Sequence, residues 1–345
     1  MDSKLLIIHQ GAIGDLILSL PAITALQERF SNHNFSFMGY PSTLEILPVK
    51  REQIVSVQMP GISSLYTTEP DPPEELKQYL VKFEKVFLFG MRGGEDLVKG
   101  MKVIGVKEVF RIDTFPDHSI HVTDYQASIL SSLGTEVKNR VPRLSISDQD
   151  EKVAGEVLLR HGVKEDKPLI FIHPGSGSIK KSWPSHHFAK LARNLQERFS
   201  ARIAVIEGPA DKAEAETLSA SLKGSSTVKM GKLPLRTLAA LMKRGKCFIG
   251  NDSGITHLAA AVGTLAIALF GPTDPVVWGP RGKNVSIIRG ETECSPCTQE
   301  TLRGCTRQRC LENIEVETVC DAVQKLVSEG LGTFASAECG LRSAE

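Results

Sequence analysis

The chain has no surplus of charge of either sign: 41 Lys and Arg stand against 40 Asp and Glu, a formal net charge of +1. Non-specific binding to nucleic acid draws on a basic excess, so that class is unsupported. Nor is there an apolar run approaching the ~20 residues a membrane-spanning helix needs. The opening, MDSKLLIIHQ, offers one Lys and a short apolar stretch but no small-residue cleavage site, so it reads as a first β-strand rather than a signal peptide. The seven cysteines are odd in number and crowd toward the C-terminal end. That suits a reducing cytoplasm better than a secreted disulfide framework. At 345 residues the chain exceeds what one hydrophobic core usually fills, which predicts two domains.

What is present is an alternation of short β-rich runs with helical stretches. KLLIIH (4–9), FSFMGY (35–40), KVFLFG (85–90) and EVFRID (108–113) read as strands of the first half. Leu16, Leu20, Ile23, Leu26 and Phe30 recur at helical spacing, with Pro21 placed in the first turns or at a kink. EELKQYL (74–80) and HVTDYQASILSSLG (121–134) are further helices, the second stopped by Gly134. PLIFIHPG (168–175), ARIAVIEG (201–208), KCFIGND (246–252) and LAIALFG (265–271) repeat the rhythm with helices between them. Near-continuous apolar strands alternating with helices mean parallel sheets covered on both faces. The expected fold is therefore α/β, with two Rossmann-like, doubly wound parallel-sheet domains, residues 1–155 and 156–331, facing a central cleft. The join falls where VPRLSISDQDEKVAG offers a Pro, a short strand and a capped helix, and 332–345 reads as a frayed tail.

Four constellations carry chemistry. In HQGAIGDLILSLPA (9–22), Gly11 and Gly14 bracket a strand-to-helix turn and Asp15 follows at the helix start. Asp15 is equally readable as a favourable charge on the helix dipole or as a catalytic carboxylate. A dinucleotide site fails there, for want of G-x-G-x-x-G and of an acidic residue ending FSFMGY. HPGSGSIKKSWPSHHF (173–188) sets Gly175, Ser176, Gly177, Ser178, Lys180 and Lys181 in a loop rich in N–H groups and positive charge, with Ser185 capping the next helix. It is an anion cradle or an ordinary βα turn, and the clustering favours the cradle. In GNDSGITHLAAAVGTLAIALFGPTDP (250–275), Asp252 and Ser253 open a helix whose first amides, around Gly254, suit phosphate, with His257 one turn on. Alone, Asp-Ser there is an N-cap and His257 a packed histidine. The fourth is Cys294, Cys297, Cys305 and Cys310. The second pair is spaced more widely than zinc sites prefer, so a metal-free or redox-sensitive loop is expected ahead of a zinc site.

Taken in order, GD-x5-PA, HPG…K-x-WP and D-[ST]-G-x-x-H-x-x-A-A followed by FGPTDP resemble glycosyltransferase family 9, which includes the ADP-heptose:lipopolysaccharide heptosyltransferases. The resemblance spans roughly residues 5 to 320 and implies a GT-B fold, inversion at the anomeric carbon and no metal or other cofactor. It implies Asp15 as general base, Lys181 on the donor diphosphate with Ser176 and Ser178 near it, and Asp252, Ser253, Gly254 and His257 at the donor-binding helix start. An acidic residue after the EGPADKAE strand contacts the nucleotide in the family; Glu207, Asp211 and Glu214 are its three candidates here. The implied partners are a nucleotide-sugar donor, ADP-heptose foremost, and a lipid-linked glycan acceptor, which places the protein in the cytoplasm at the inner membrane surface. A family member using another nucleotide sugar, a nucleotide-sugar epimerase of the same fold, and a non-catalytic cysteine-cluster protein are the competing readings.

Overall fold

The structure is a computed structural model that describes residues 4–90, 94–164, 166–222 and 226–328; the tail expected at 332–345 lies outside the described residues. The chain divides into two compact units, one of residues 1–145 with Val276–Trp278 and one holding the rest.

In the first unit, β1 (Lys4–His9) leads to α1 (Ile13–Arg29), β2 (Asn34–Gly39), α2 (Pro41–Leu44), β3 (Ile54–Ser56), α3 (Glu74–Val81), β4 (Lys85–Gly90), α4 (Gly94–Val103), β5 (Glu108–Asp113) and α5 (Val122–Ser132). The strands form one parallel sheet in the order β3-β2-β1-β4-β5. Leu5, Leu6, Ile7 and Ile8 of the central strand are fully buried, as a strand covered on both faces requires. α1 and α5 pack together, and Arg29 donates to Leu133 O and to Thr135 Oγ1. Pro21 lies inside α1, so the first-turn placement is excluded and Ile17 O lacks its helical N–H partner. Gly134, at φ 74°, takes the left-handed conformation that ends α5.

The second unit begins with α6 (Asp148–Arg160), then β6 (Leu169–His173), α7 (Ser185–Phe199), β7 (Arg202–Glu207), α8 (Lys212–Ser221), β8 (Thr227–Gly231), α9 (Leu235–Arg244), β9 (Cys247–Asn251), α10 (Gly254–Ala261) and β10 (Leu265–Phe270). α11 (Pro275–Trp278), β11 (Val285–Arg289), α12 (Gln299–Gly304), α13 (Arg309–Glu312) and α14 (Val316–Leu326) follow. Its parallel sheet runs β11-β10-β9-β6-β7-β8. Ser147 caps α6 reciprocally with Asp150. Asp150 then pairs with Arg236, and Glu151 with Lys243 and Arg244, all on α9. These bonds attach α6 to the second unit, so the division falls after Ser145, earlier than the join expected after residue 155. Residues 141–146, where a short strand was expected, form none. Among the described residues no helix is long and apolar enough to cross a membrane.

Both sheets reverse strand order beside their first strand, between β1 and β4 and between β6 and β9. Such switch points leave a crevice at the carboxyl ends of the strands where doubly wound proteins bind ligands.

Candidate functional site

In the second unit three loops meet at the β6–β9 switch point: 174–184 after β6, 208–211 after β7, and 252–253 after β9. Register sets His173 beside Gly250. Asn251, fully buried, joins two strands' ends: its Nδ2 donates to Pro174 O at 2.8 Å and Gly175 O at 3.2 Å, and its Oδ1 accepts Trp183 N–H at 2.8 Å. The loop between closes on itself. Ser176 Oγ meets Ser182 Oγ at 2.9 Å and donates to Ser178 O, Gly177 turns at φ 69°, and Ile179–Lys181 makes a single 3-10 turn. Ser185 is the first residue of α7 and not its cap: Pro184, in extended backbone, holds the cap position with no side-chain hydrogen bond.

The adjacent lysines part company. Lys181 Nζ lies 2.9 Å from Asp252 Oδ2, which also accepts from Thr273 Oγ1 at 2.6 Å. Lys180 Nζ turns away and donates to Leu302 O and Arg303 O, 2.7 and 2.8 Å, at the end of α12. Ser253 is the N-cap of α10 and accepts Thr256 N–H; Gly254 is the first helical residue, and His257 is buried in the first turn. The site therefore gathers one lysine, a helix N-terminus and small hydroxyl residues, a set suited to a multiply charged anion.

The acidic candidates after β7 separate by burial. Glu207 pairs with Lys229 of β8 at 2.8 Å. Asp211 is buried against His173, its Oδ2 touching Nε2. Burial pushes the Asp211 carboxyl up, but the hydrogen bond and charge of His173, with backbone N–H groups of Gly208 and its own residue, outweigh that and hold it below the usual carboxylate range. Glu214 lines a cavity of about 220 Å³ beside the loop, with Pro174, Ile179, Ser182 and Ser185.

In the first unit the turn after β1 is built around Asp15. Gly14 lies within the first turn of α1 and not before it, since α1 starts at Ile13. Ala12 N–H donates to Asp15 Oδ2 at 3.0 Å, one half of a capping box; the methyl side chain of Ala12 cannot supply the other half. A Cβ at Gly11 would fall 2.7 Å from Asp15 Cβ and 2.9 Å from Oδ2, so this turn admits no side chain there. Beneath it His9 Nε2 lies 3.3 Å from Ser19 Oγ, which accepts from Gln126 Nε2 and donates to the Asp15 carbonyl. Burial pushes the His9 imidazole down to about 4, opposed by its hydrogen bond to the Asp15 backbone.

Burial first, then Cys294, Cys310 and Cys305 of the same C-terminal segment, push the Cys297 thiol up to about 11. Among the described residues, no three His, Cys, Asp or Glu side chains are grouped to hold a metal ion. The segment is fastened to the loop after β10: Ser295 Oγ donates to Gly271 O and Cys297 N–H to Pro272 O. Together with the Lys180 contacts on α12, it braces the loop after β6 and the loop after β10.

A sequence profile of glycosyltransferase family 9 (heptosyltransferase) matches residues 95–305. Over 335 residues the chain is 25% identical to lipopolysaccharide heptosyltransferase 3 of Escherichia coli K12, covering 92% of this chain and 96% of that one. A family 9 glycosyl transferase from Veillonella parvula DSM 2008 superposes with a TM-score of 0.76 at 20% identity, over 95% of this chain and 98% of its own. For the E. coli ADP-heptose LPS heptosyltransferase II the TM-score is 0.67 at 18% identity, over 93% and 99%. These likenesses carry the fold, two parallel-sheet α/β units of GT-B type. With the family profile matched over more than half of its length, the chain belongs to glycosyltransferase family 9 and is a glycosyltransferase.

Proposed function

We propose that the protein transfers a heptose from ADP-heptose to the inner core of a lipopolysaccharide precursor, inverting the anomeric centre. The observation that carries this reading is the convergence of Lys181, Asp252, Ser253 and the N-terminus of α10 at one switch point, in a chain of this family. The donor diphosphate is held there by the α10 amides and Lys181, with Ser176 and Ser178 in the loop beside it. Glu214, on the cavity wall, is the acidic side chain best placed for the nucleoside, ahead of Glu207 and Asp211, which are engaged elsewhere. The acceptor hydroxyl oxygen attacks the anomeric carbon, its proton passes to the Asp15 carboxylate, and the bond to the β-phosphate oxygen breaks with its electron pair leaving on the diphosphate. Lys181 and the helix amides meet that growing charge as fixed groups, the part a divalent cation takes in other transferases. A lipid-linked acceptor brings the enzyme to the inner membrane surface as a peripheral protein.

Incubating the purified protein with a heptose-deficient core acceptor and, in turn, ADP-heptose, UDP-sugars and GDP-sugars tests this directly. Transfer from ADP-heptose that persists in EDTA is the expected result. Transfer only from a UDP- or GDP-sugar would replace the heptose reading with another donor. A folded protein that uses none of them would remove the proposed reaction.

A further inference from the structure

Of the chain's four tyrosines two are exposed, Tyr40 at 42% and Tyr66 at 39%, and both stand beside the turn that leads to Asp15. Tyr40 follows Gly39, the register partner of His9, so it lies next to Gln10 at the carboxyl edge of the sheet. Tyr66 donates its O–H to Gln10 Oε1 at 3.0 Å. It ends a 3-10 turn, Ile62–Tyr66, that is fastened from beneath. Leu65 is fully buried, and a Cβ at Gly100 of α4 would sit 2.0 Å from the Leu65 carbonyl oxygen, so α4 meets the turn backbone to backbone. Gly61, at φ 85°, opens the turn, and the hydroxyls of Ser64 and Thr67 close it by donating to Gly61 O and Ser64 O. An exposed aromatic ring is thus carried on a rigid mount. Its hydroxyl fixes the amide of Gln10, two residues before Ala12, whose N–H holds Asp15.

With Oε1 taken by the Tyr66 hydroxyl, the Gln10 amide presents its two Nε2–H donors. A sugar ring asks both features of a site: its C–H face packs on an aromatic ring, and its hydroxyls take hydrogen bonds at the edge. We propose that Tyr66 and Gln10 form the acceptor subsite: the Tyr66 ring carries a neutral acceptor sugar, and the Gln10 amide donates to a hydroxyl oxygen beside the one whose proton passes to Asp15. Both are positioning residues, and Tyr40 borders the subsite. The sugar is neutral because both groups are uncharged and the Asp15 carboxylate repels the carboxylate of a sugar acid. The Lys and Arg side chains of the five strands do not offset that repulsion. Lys4 and Lys85 stand at the amino ends, and Arg111 of β5 is ion-paired with Glu95 and Asp113.

The inference rests on the transfer reaction with Asp15 as its base, which wild-type turnover tests separately: if wild type transfers to no acceptor, that reading falls and this one with it. Given transfer, two soluble core oligosaccharides serve as probes, one ending in a neutral sugar and one in a sugar acid, and wild type is expected to prefer the first. With the neutral probe, Tyr66→Ala is expected to raise the acceptor KM about tenfold or more, through loss of the ring. Gln10→Ala is expected to raise it roughly 3- to 10-fold, the span for one hydrogen bond. Tyr66→Phe keeps the ring but releases the amide, and is expected to match Q10A. The double variant Q10A/Y66F is expected to be no worse than Q10A, because the Tyr66 hydroxyl acts through Gln10. The donor KM is expected to stay within about twofold of wild type in every variant. A donor KM that rises in step with the acceptor KM, a Y66A acceptor KM equal to that of wild type, or a wild-type preference for the sugar acid would overturn the proposal. Should Y66A fail to fold, Q10A and Y66F, which alter one exposed hydrogen bond, still decide.

Discussion

Asp15 sits at the third helical position of α1 with one carboxylate oxygen engaged by Ala12 N–H, so a structural task and the proposed catalytic one fall on one side chain. Asp15→Asn separates them, since an amide oxygen still accepts that N–H but cannot take a proton. The variant is expected to keep its ADP affinity and its melting temperature while turnover falls by about two to four orders of magnitude; turnover at the wild-type rate would return Asp15 to a helix-start role. Directly below, His9 has a consequence for stability. Its folded-state pKa of about 4 lies below the ordinary value of 6.5, so between these values the unfolded chain binds the extra proton. Stability therefore decreases as pH falls from about 6.5 toward 4, and is unaffected by this group above that window. At pH 5 the loss is about 2 kcal/mol relative to neutral pH. Urea unfolding of wild type and H9Q at pH 7.5 and 5 measures it, and identical pH slopes for the two would show that His9 is not the group responsible.

Among the elements, the loop after β6 is the part most exposed to experiment. Lys181 meets Asp252 and the proposed diphosphate, while Lys180 fastens the loop to α12. Lys181→Ala is expected to raise the ADP Kd and lower kcat, each by about tenfold or more, because its charge acts in the ground state and more strongly in the transition state. Lys180→Ala is expected to weaken turnover only a few-fold (roughly), through loosening of the loop, and isothermal titration with turnover assays on both variants will rank them. Equal effects would mean that the two side chains exchange places when donor binds. This is also the scale at which sequence was most and least informative. β1, β4, β6, β9 and β10 are continuous apolar runs buried on both faces, and such runs are legible without coordinates. The edge strands β3, β8 and β11 are half-exposed and short, so Thr227–Gly231 and Val285–Arg289 carry no such signal. α14 is legible only if Cys320 counts as a small apolar residue beside Val316, Val319, Val323 and Leu326. In the site, Lys181, Asp252 and Ser253 stood in local motifs. His173, Asn251 and Thr273 join the site through contacts with Ser253, Pro174 and Asp252, two of them spanning some 80 residues of chain, and no local spacing encodes those.

At the scale of the molecule, two units with separate sheets and separate cores can melt separately, and the proposed donor groups Lys181 and Asp252–His257 all belong to the second. ADP at a hundredfold excess over its Kd stabilises the unit that binds it by about 2.7 kcal/mol. For a unit of this size that is a rise of about 5–10 °C, expected in the second unit's calorimetric transition and without added magnesium. A shift confined to the first unit would place the nucleotide on the other sheet. The order of assembly in the cell follows from where α14 lies. Its Val319, Cys320 and Val323 complete the core formed by Leu191, Leu195, Ile267 and Leu269, and α14 packs on α7. The first unit has all of its sheet and α5 by Ser132, whereas the second cannot close until Leu326 has been made, about 180 residues after the first unit's boundary. At 5–20 residues per second that interval lasts on the order of 10 to 35 s. Through it the emerging chain carries the first unit's complete sheet, which waits for Val276–Trp278, beside a second unit whose core waits for α14, so the need for chaperones during synthesis falls mainly on the unit that holds the proposed donor groups.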